Sequence, residues 1–285
     1  MRNRVEMKGR KGIYPAGDLC WLLPGLLGWA VFMAFPFGKT VMLSFRTQAN
    51  NAPMFSAENY LRLFQDSYYL LSVKNTLLFF IPAISVTWVI GLAAARVLLW
   101  PVKRKNTFLV ILLVPFFLPA SSVTVIWKLI FGNGSVLMNS IRPNDQRWKY
   151  ASLLLLYLWK NIGITATVYL VSMHAIDGRI LDAARSDGAS EYKVFFLIQF
   201  PLLRKATIYT AFFLMICGVR FFREAYLMFG AYPASNLFFV QHYMNLYFAR
   251  LDYSRLSAAG IVFSAGILAI TAILSDLNRR KEGDI

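Results

Sequence analysis

The chain has 285 residues, of which 58% are hydrophobic, 16% aromatic and only 15% charged. Soluble domains are closer to half apolar and a quarter charged, so this composition indicates a polytopic membrane protein. The net charge of +16 lies between apolar runs, so we attribute it to membrane topology and lipid headgroups and exclude a nucleic-acid-binding protein. The two cysteines, Cys20 and Cys217, lie in apolar runs without metal or redox spacing.

Six apolar stretches are each long enough to cross the hydrocarbon core as a helix, which takes about 20 residues. They cover residues 19–45, 73–99, 108–131, 151–173, 206–229 and 256–274. We therefore predict an all-α polytopic membrane protein with six transmembrane helices. Residues 1–18 form a basic tail, 19–72 the first helix and its loop, 73–276 the remaining five helices, and 277–285 a second tail.

Three connections between the predicted spans are long. Residues 46–72 are polar and aromatic, and Ser56 is placed to cap a short helix over 57–64, although a plain loop fits the same residues. Residues 132–149 read as a loop that contains Gly and Asn, and residues 230–254 read as a second aromatic loop.

Basic residues favour one orientation in the membrane. With both termini in the cytoplasm, the cytoplasmic segments hold 16 Lys and Arg residues and the outer segments hold 10. Because Lys and Arg accumulate on the cytoplasmic side, we predict that both termini, and the segment at 177–201, lie there.

The segment 177–201 is amphipathic without being long enough to span. Its sequence predicts two short helices around a turn at Asp187-Gly188, where Gly permits a positive φ. Asp187 is expected to cap the second helix, and Glu191 lies in its first turn, where the helix dipole favours an acid. Apolar residues on one side of the first helix, bordered by Asp182 and Arg185, are Ile180, Leu181, Ala183 and Ala184.

The same segment resembles the EAA motif of permease subunits in binding-protein-dependent ABC importers, written EAAxxDGAxxxxxFxxIxxP. The matching residues are Ala183, Ala184, Asp187, Gly188, Ala189, Phe195, Ile198 and Pro201. Asp182 stands where the family usually has Glu, which keeps the charge. In that family the motif is a coupling helix that docks on the ATPase subunit. The resemblance therefore implies an ATPase contact through Leu181, Asp182, Ala183, Ala184, Asp187, Gly188 and Ala189.

Weaker patterns resemble the carbohydrate-uptake branch of that family, the maltose and glycerol-phosphate type. Residues 58–66 match ENYxxLFxD, residues 75–77 match NTL, and residues 159–163 match WKxxG. Residues 222–226 resemble FDEPY with Arg223 in place of Asp, and residues 230–233 stand where GGGP is usual. These departures fall in the predicted outer half of the chain.

Charged and amide side chains inside predicted spans are functional candidates, because burying them in a membrane is costly without a role. Lys160 and Asn161 lie in the fourth span, and Arg220 and Glu224 lie four residues apart in the fifth. We predict that these four residues line a solute path or gate. The alternative is structural, with Lys160 reaching toward the interface and Arg220 pairing with Glu224.

The sequence gives no sign of an enzyme. Gly38-Lys39-Thr40 resembles the end of a P-loop, but the required first glycine is replaced by Met33 and the segment lies in a span. His174 and His242 have no neighbour at metal-binding spacing and are expected to be solvated or interfacial. We therefore expect no catalytic residues, no cofactor and no metal in this chain.

The family resemblance covers nearly the whole chain and implies a type I ABC importer permease subunit in a bacterial inner membrane. It implies a second permease, ATPase subunits that bind the ATP, an extracytoplasmic solute-binding protein and a sugar or oligosaccharide as solute. Two alternatives remain at this point. One is a permease for an amino acid, a polyamine or phosphate, and the other is an integral-membrane enzyme.

Overall fold

A computed structural model describes residues 21–49, 52–100, 103–131 and 146–280. The predicted tail 1–18 and most of the predicted loop 132–149 lie outside these residues. Helices dominate the described chain, as the sequence predicts. In order they are α1 (Leu23–Ser44), α2 (Glu58–Gln65), α3 (Ser67–Leu98), α4 (Lys105–Phe117), α5 (Ala120–Phe131), α6 (Gln146–His174), α7 (Gly178–Ser186), α8 (residues 191–202), α9 (Arg204–Arg220), α10 (Phe222–Phe229), α11 (Val240–Ala249) and α12 (Tyr253–Arg280).

The membrane-crossing pattern confirms the predicted helical fold. Among the described residues, five segments are long and apolar enough to span: α1, α3, α6, α9 with α10, and α12. A sixth crossing arises if α4 and α5, which are separated by a sharp bend, count as one span. Helix α3 begins six residues before the predicted span, at Ser67, where Asp66 accepts a hydrogen bond from the amide of Tyr68 at 2.9 Å.

The predicted third span over 108–131 is broken in two. The chain bends by 101° between α4 and α5. Leu118 adopts an extended backbone with ψ of 133°, because a residue before proline is pushed out of the helical region, and Pro119 lacks the amide hydrogen that would continue the helix. Composition alone hid the bend, since both halves are equally apolar.

The core forms where α3, α6, α9 and α10 meet. Phe79, Tyr157 and Phe221 are almost completely buried there. The Tyr157 and Phe221 rings stand edge to face with centroids 5.1 Å apart, and the Tyr157 hydroxyl donates to the carbonyl of Leu214 at 2.8 Å. This contact ties α6 to α9 with the phenol satisfied inside the core.

Small residues allow α6 to approach its neighbours closely. A Cβ built at Gly163 would lie 1.8 Å from the backbone oxygen of Leu112 on α4, and one at Gly91 on α3 would lie 2.4 Å from Thr165. Membrane helices associate largely through such packing, because lipid offers no hydrophobic driving force between them. The position of α4 against α6 therefore depends on Gly163.

At the end of the bundle where α3 begins, a small subdomain covers the core. It contains an antiparallel hairpin of β1 (Arg46–Ala49) and β2 (Ala52–Phe55), a departure from the predicted all-α fold. The short helix predicted over 57–64 is confirmed as α2, and its first amide, that of Glu58, donates to the hydroxyl of Ser56 at 3.1 Å.

The aromatic segment 230–254, predicted as a loop, contains helix α11. Two polar groups near the start of α3 hold it in place. Asn75 donates to the carbonyl oxygens of Ser235 at 2.6 Å and Phe238 at 3.0 Å. Asp66 accepts the hydroxyl of Tyr243 at 2.9 Å. Distant polar partners, absent from any local pattern, make this segment ordered.

His242 on α11 is buried, which contradicts the solvated or interfacial position expected from sequence. Its Nδ1 accepts the amide of Phe239 at 3.2 Å, closing the first turn of α11. The ring meets Phe222 edge to face, with centroids 4.9 Å apart. Burial lowers the pKa of His242 to about 4, so the ring is neutral at physiological pH.

We expect Gly163→Ala to lower the thermal stability of the purified chain in detergent by about 1–3 kcal/mol, because the new methyl group overlaps backbone of α4. Gly266→Ala on α12 is the matched control, since a Cβ there meets nothing within 4 Å. Equal melting temperatures for the two variants would show that α4 does not pack on α6 as described.

The buried His242 predicts a pH dependence. Its folded-state pKa lies below the unfolded value of about 6.5, so its stabilisation is complete above that pH and is lost as pH falls toward 4, by on the order of 3 kcal/mol. His242→Gln keeps an acceptor for the Phe239 amide without titrating, so its melting temperature should depend less on pH across this window. Identical pH profiles for both proteins would contradict the buried, neutral histidine.

Candidate functional site

The segment predicted as a coupling element forms two short helices around a turn. Asp177 caps α7 by accepting the amide of Arg179 at 3.0 Å. Gly188 has φ of +82°, the positive value that the sequence predicted. The Gly188 amide donates to the carbonyl of Arg185 at 3.0 Å, and the Ala189 amide donates to that of Ala184 at 3.1 Å. This is a Schellman motif, in which glycine fits the left-handed position that ends the helix.

The predicted capping role of Asp187 is wrong. Asp187 is the C-cap of α7 and does not cap the second helix. Ser190 caps α8 instead, through its hydroxyl and the amide of Lys193 at 3.5 Å. Pro201 lies inside the last turn of α8, and the long helix α9 begins only at Arg204. The Schellman motif uses Asp187 and Gly188 to close α7, so the next available cap is Ser190.

The predicted apolar side of α7 is largely uncovered. All residues of 178–186 are described, and none is buried. Ile180 is 48% exposed, Asp182 and Ala183 are exposed, and Leu181 and Ala184 are half-buried. In the turn that follows, Asp187 and Gly188 are exposed and Ala189 is half-buried. The helix thus presents small and apolar side chains with charged edges.

An ion-pair network, which sequence reasoning missed, joins α7 to the end of α3. Arg185 Nε lies 2.7 Å from Glu191 Oε1, and its Nη1 lies 2.8 Å from Asp182 Oδ1. Arg96 Nη2 lies 3.2 Å from Glu191 Oε2, and its guanidinium lies 5.2 Å from the Phe195 ring centroid. The bond from Arg185 is the main cause that holds the pKa of Glu191 below its usual value. In the sequence, this network is indicated only by the turn at Asp187-Gly188, which brings Arg185 close to Glu191.

The second candidate group lies deeper in the helical bundle. Lys160 and Glu224 form an ion pair with Nζ and Oε1 2.6 Å apart, and their side chains are only 12% and 7% exposed. The Lys160 ammonium also donates to the Leu118 carbonyl at 3.3 Å. That carbonyl lies at the bend between α4 and α5, so one ammonium satisfies both a carboxylate and a helix end.

This arrangement corrects the predicted pairing of Glu224 with Arg220. Helix α9 ends at Arg220, and Glu224 lies in the first turn of a separate helix, α10. The carboxylate contacts a lysine 64 residues away in sequence. Asn161, the fourth candidate, donates to the Tyr157 carbonyl one turn earlier at 2.8 Å, so its amide nitrogen stabilises its own helix.

These residues line a cavity of about 330 Å³, which lies beside the bend between α4 and α5 and the junction of α9 and α10. It brings together all four of the predicted residues, Lys160, Asn161, Arg220 and Glu224. Sequence reasoning did not place Arg223 or Cys217 at this site. The other lining residues are Phe116, Phe117, Leu118, Pro119, Ala120, Cys217, Phe221 and Arg223.

His174 lies at the last residue of α6, as predicted from where the fourth span ends. Its Nδ1 lies 2.6 Å from the Leu170 carbonyl, and its Nε2 lies 3.5 Å from Lys105 Nζ. In the part of the chain that the structure describes, no three His, Cys, Asp or Glu side chains cluster in a way that would hold a metal ion.

No protein-family model matches the chain, but curated proteins match it along nearly its whole length. It is 23% identical to the diacetylchitobiose uptake permease of Streptomyces coelicolor over 89% of this chain and 79% of the relative. It is 25% identical to the sulfoquinovosyl glycerol transport permease of Agrobacterium fabrum, covering 92% and 90%. It is 23% identical to the sn-glycerol-3-phosphate transport permease of Yersinia pestis, covering 94% and 97%.

The fold also matches that of a solved transporter along nearly the whole chain. A chain in the crystal structure of a bacterial ABC transporter that imports the acidic polysaccharide alginate superposes with a TM-score of 0.79 at 17% identity, covering 92% of this chain and 95% of that one. In fold and in sequence the chain is thus similar to multi-pass transmembrane permease subunits of ABC importers. The relatives include carbohydrate-uptake permeases, which confirms the predicted resemblance to that type of permease.

The buried ion pair predicts strong energetic coupling. Lys160→Met should destabilise the protein by about 3–5 kcal/mol, because it leaves the Glu224 carboxylate buried without a counter-charge. The double variant Lys160→Met with Glu224→Met should regain most of that loss, as measured by thermal unfolding in detergent.

The exposed pair of Arg62 and Glu58 provides the control. The same double-mutant cycle there should give a coupling of about 0.5 kcal/mol or less, because solvent screens exposed ion pairs. Strictly additive losses at Lys160 and Glu224 would show that the two charges do not depend on each other.

Proposed function

We propose that this chain is the permease subunit through which an ABC importer carries a sugar or oligosaccharide, together with a second permease. Two ATPase subunits on the cytoplasmic side and an extracytoplasmic solute-binding protein would complete the assembly. The observation that carries the proposal is α7, a short exposed helix closed by a Gly188 Schellman motif and tied to a span through Arg96 and Glu191.

The geometry of α7 suits docking on a soluble ATPase subunit. Small and apolar side chains at 180, 181, 183 and 184 would enter a groove on the partner, with Asp182 and Arg185 at the rim. Because α7 joins α6 through three residues and α8 through a hydrogen-bonded turn, movement of the docked helix would be transmitted to the spans. A bistable rigid-body change of this kind is a common basis for switching.

ATP hydrolysis is assigned to the partner subunit. Gly38, Lys39 and Thr40 lie inside the helix Phe35–Ser44, where backbone amides are already bonded and cannot cradle a phosphate as a P-loop does. An integral-membrane enzyme remains the less supported alternative, because the relatives and the structural neighbour are transport proteins.

The orientation we propose places both termini, α7 and α8 in the cytoplasm of a bacterial inner-membrane protein. The greater number of Lys and Arg residues in those segments supports it. In this orientation the hairpin, α2 and α11 face outward, where a solute-binding protein delivers its cargo.

The solute class draws support from the relatives. The names of three of them refer to diacetylchitobiose, sulfoquinovosyl glycerol and lactose, and the structural neighbour imports alginate. Sugars and their derivatives are common to this set, which favours a carbohydrate over an amino acid or a polyamine. The solute path we propose runs past Lys160, Asn161, Arg220 and Glu224.

The coupling proposal is tested with Gly188→Val and Ala184→Trp. The first forces a β-branched residue into a left-handed position at a cost on the order of 1–2 kcal/mol, which would distort the end of α7. The second fills the docking face. Both should insert normally yet lose ATPase co-purification and ATP-dependent sugar uptake in proteoliposomes, when expressed with the partner subunits of the same organism.

Gly230→Val is the matched control, because Gly230 has φ of +78° but lies at the opposite end of α9 and α10. Its φ of +78° with ψ of −169° is open essentially only to glycine, so valine strains the backbone there at least as much. Because this strain lies far from α7, it should leave ATPase association intact. If both α7 variants keep full ATPase association and uptake, α7 is not the coupling element.

A further inference from the structure

The cavity at the helix breaks carries an excess of positive charge. Three cationic side chains, those of Lys160, Arg220 and Arg223, line it together with one carboxylate, that of Glu224. Lys160 lies 2.6 Å from Glu224, so these two charges offset each other. The two guanidinium groups therefore dominate the charge that the cavity offers to an incoming molecule.

The other walls of the cavity strengthen the electric field of these guanidinium groups. Apart from Asn161 and the backbone at the bend, the cavity is lined by apolar groups, including Phe116, Phe117 and Phe221. Low-dielectric walls focus an electrostatic field and raise the local concentration of ions of opposite sign. Guanidinium groups bind carboxylate, sulfonate and phosphate through paired hydrogen bonds.

The identity of residue 223 also favours an anionic ligand. In the FDEPY pattern that residues 222–226 resemble, this position holds Asp, so the cavity has gained a positive charge where an acid would stand. Both arginines are exposed in this chain, and Phe117 beside them is 73% exposed. An aromatic ring next to two cations offers one contact for the apolar face of a sugar and another for an anionic substituent.

We infer that this cavity selects anionic carbohydrates, those that carry a carboxylate, sulfonate or phosphate group, through Arg220 and Arg223. The inference rests on the proposed import function and narrows its solute class. The cavity volume of about 330 Å³ lies at the lower end of the range for small-molecule sites, roughly 300–1,000 Å³.

Cys217 gives a direct test, because it lines the same cavity and is a free thiol. In the assembled importer carrying Cys20→Ser, its modification is followed by mass spectrometry with two methanethiosulfonate reagents, the anionic sulfonatoethyl and the cationic trimethylammonioethyl. Relative to their rates with a free thiol, the anionic reagent should react about tenfold faster or more.

Arg220→Gln and Arg223→Gln should each lower that preference several-fold. Lys128→Gln on α5 is the control, because Lys128 is exposed outside the cavity, and it should leave the preference unchanged. Equal rates for the two reagents, or a preference that survives loss of both arginines, would overturn the inference.

A protection experiment separates a soluble anionic sugar from a lipid headgroup. Digalacturonate should slow modification of Cys217 and neutral galactobiose should not, and Arg223→Gln should abolish the protection. Protection by phosphatidylglycerol without any effect of digalacturonate would assign the arginines to lipid and overturn the inference.

Failure of this inference is distinguishable from failure of the import function. If galactobiose protects Cys217 as well as digalacturonate does, while ATPase association and sugar uptake respond to the α7 variants as expected, the importer stands and its selectivity for anions is rejected. If uptake and ATPase association are absent from the start, the import function itself fails.

Discussion

The contact between Lys160, Glu224 and the Leu118 carbonyl determines how the helices can break where they do. A helix that ends inside a membrane leaves carbonyl groups without partners, and such backbone is tolerated only where protein or a water-filled cavity satisfies it. The Lys160 ammonium meets this need for Leu118 while it neutralises Glu224. The break, the ion pair and the cavity therefore share the same residues and support one another.

Desolvation makes this ion pair a poor source of net stability, since burying two charges costs about as much as their attraction returns. Its value lies in specifying one arrangement. A carboxylate on α10 and an ammonium on α6 accept few alternative partners in an apolar bundle, so they hold α6, α10 and the end of α4 in one register.

The geometry also connects the cavity to α7. Helix α6 carries Lys160 and then runs for 14 residues to His174, about 21 Å, before the chain enters α7. Helix α9 leaves α8 and ends at Arg220, beside the same cavity. Two continuous helices thus connect the segment 177–202 to the charged cavity, α6 through Lys160 in its middle and α9 through Arg220 at its end. A rotation of that segment would therefore move both walls of the cavity together.

The parts of this architecture that the sequence predicted are those encoded locally. Apolar length marks the spans, and Gly188 marks a turn because a single residue type suits a left-handed backbone. The order of α11 and the partner of Glu224 were missed because each depends on contacts distant in sequence. The bend at Leu118 has a local cause in Pro119, but the uniform apolar composition of 108–131 concealed it. The charge on Arg223 was visible as a departure from a pattern, but only the fold shows that it faces a cavity.

Two kinds of exposed apolar surface in this chain call for different surroundings. Helix α1 is exposed along most of its length, and over residues 23–34 it carries no charged side chain, so lipid can cover it at no electrostatic cost. Helix α7 exposes Ile180 between Asp182 and Arg185, whose charges are costly to bury in hydrocarbon. Its apolar side therefore suits a polar-rimmed groove on a protein better than lipid, in agreement with the proposed docking on a soluble ATPase subunit.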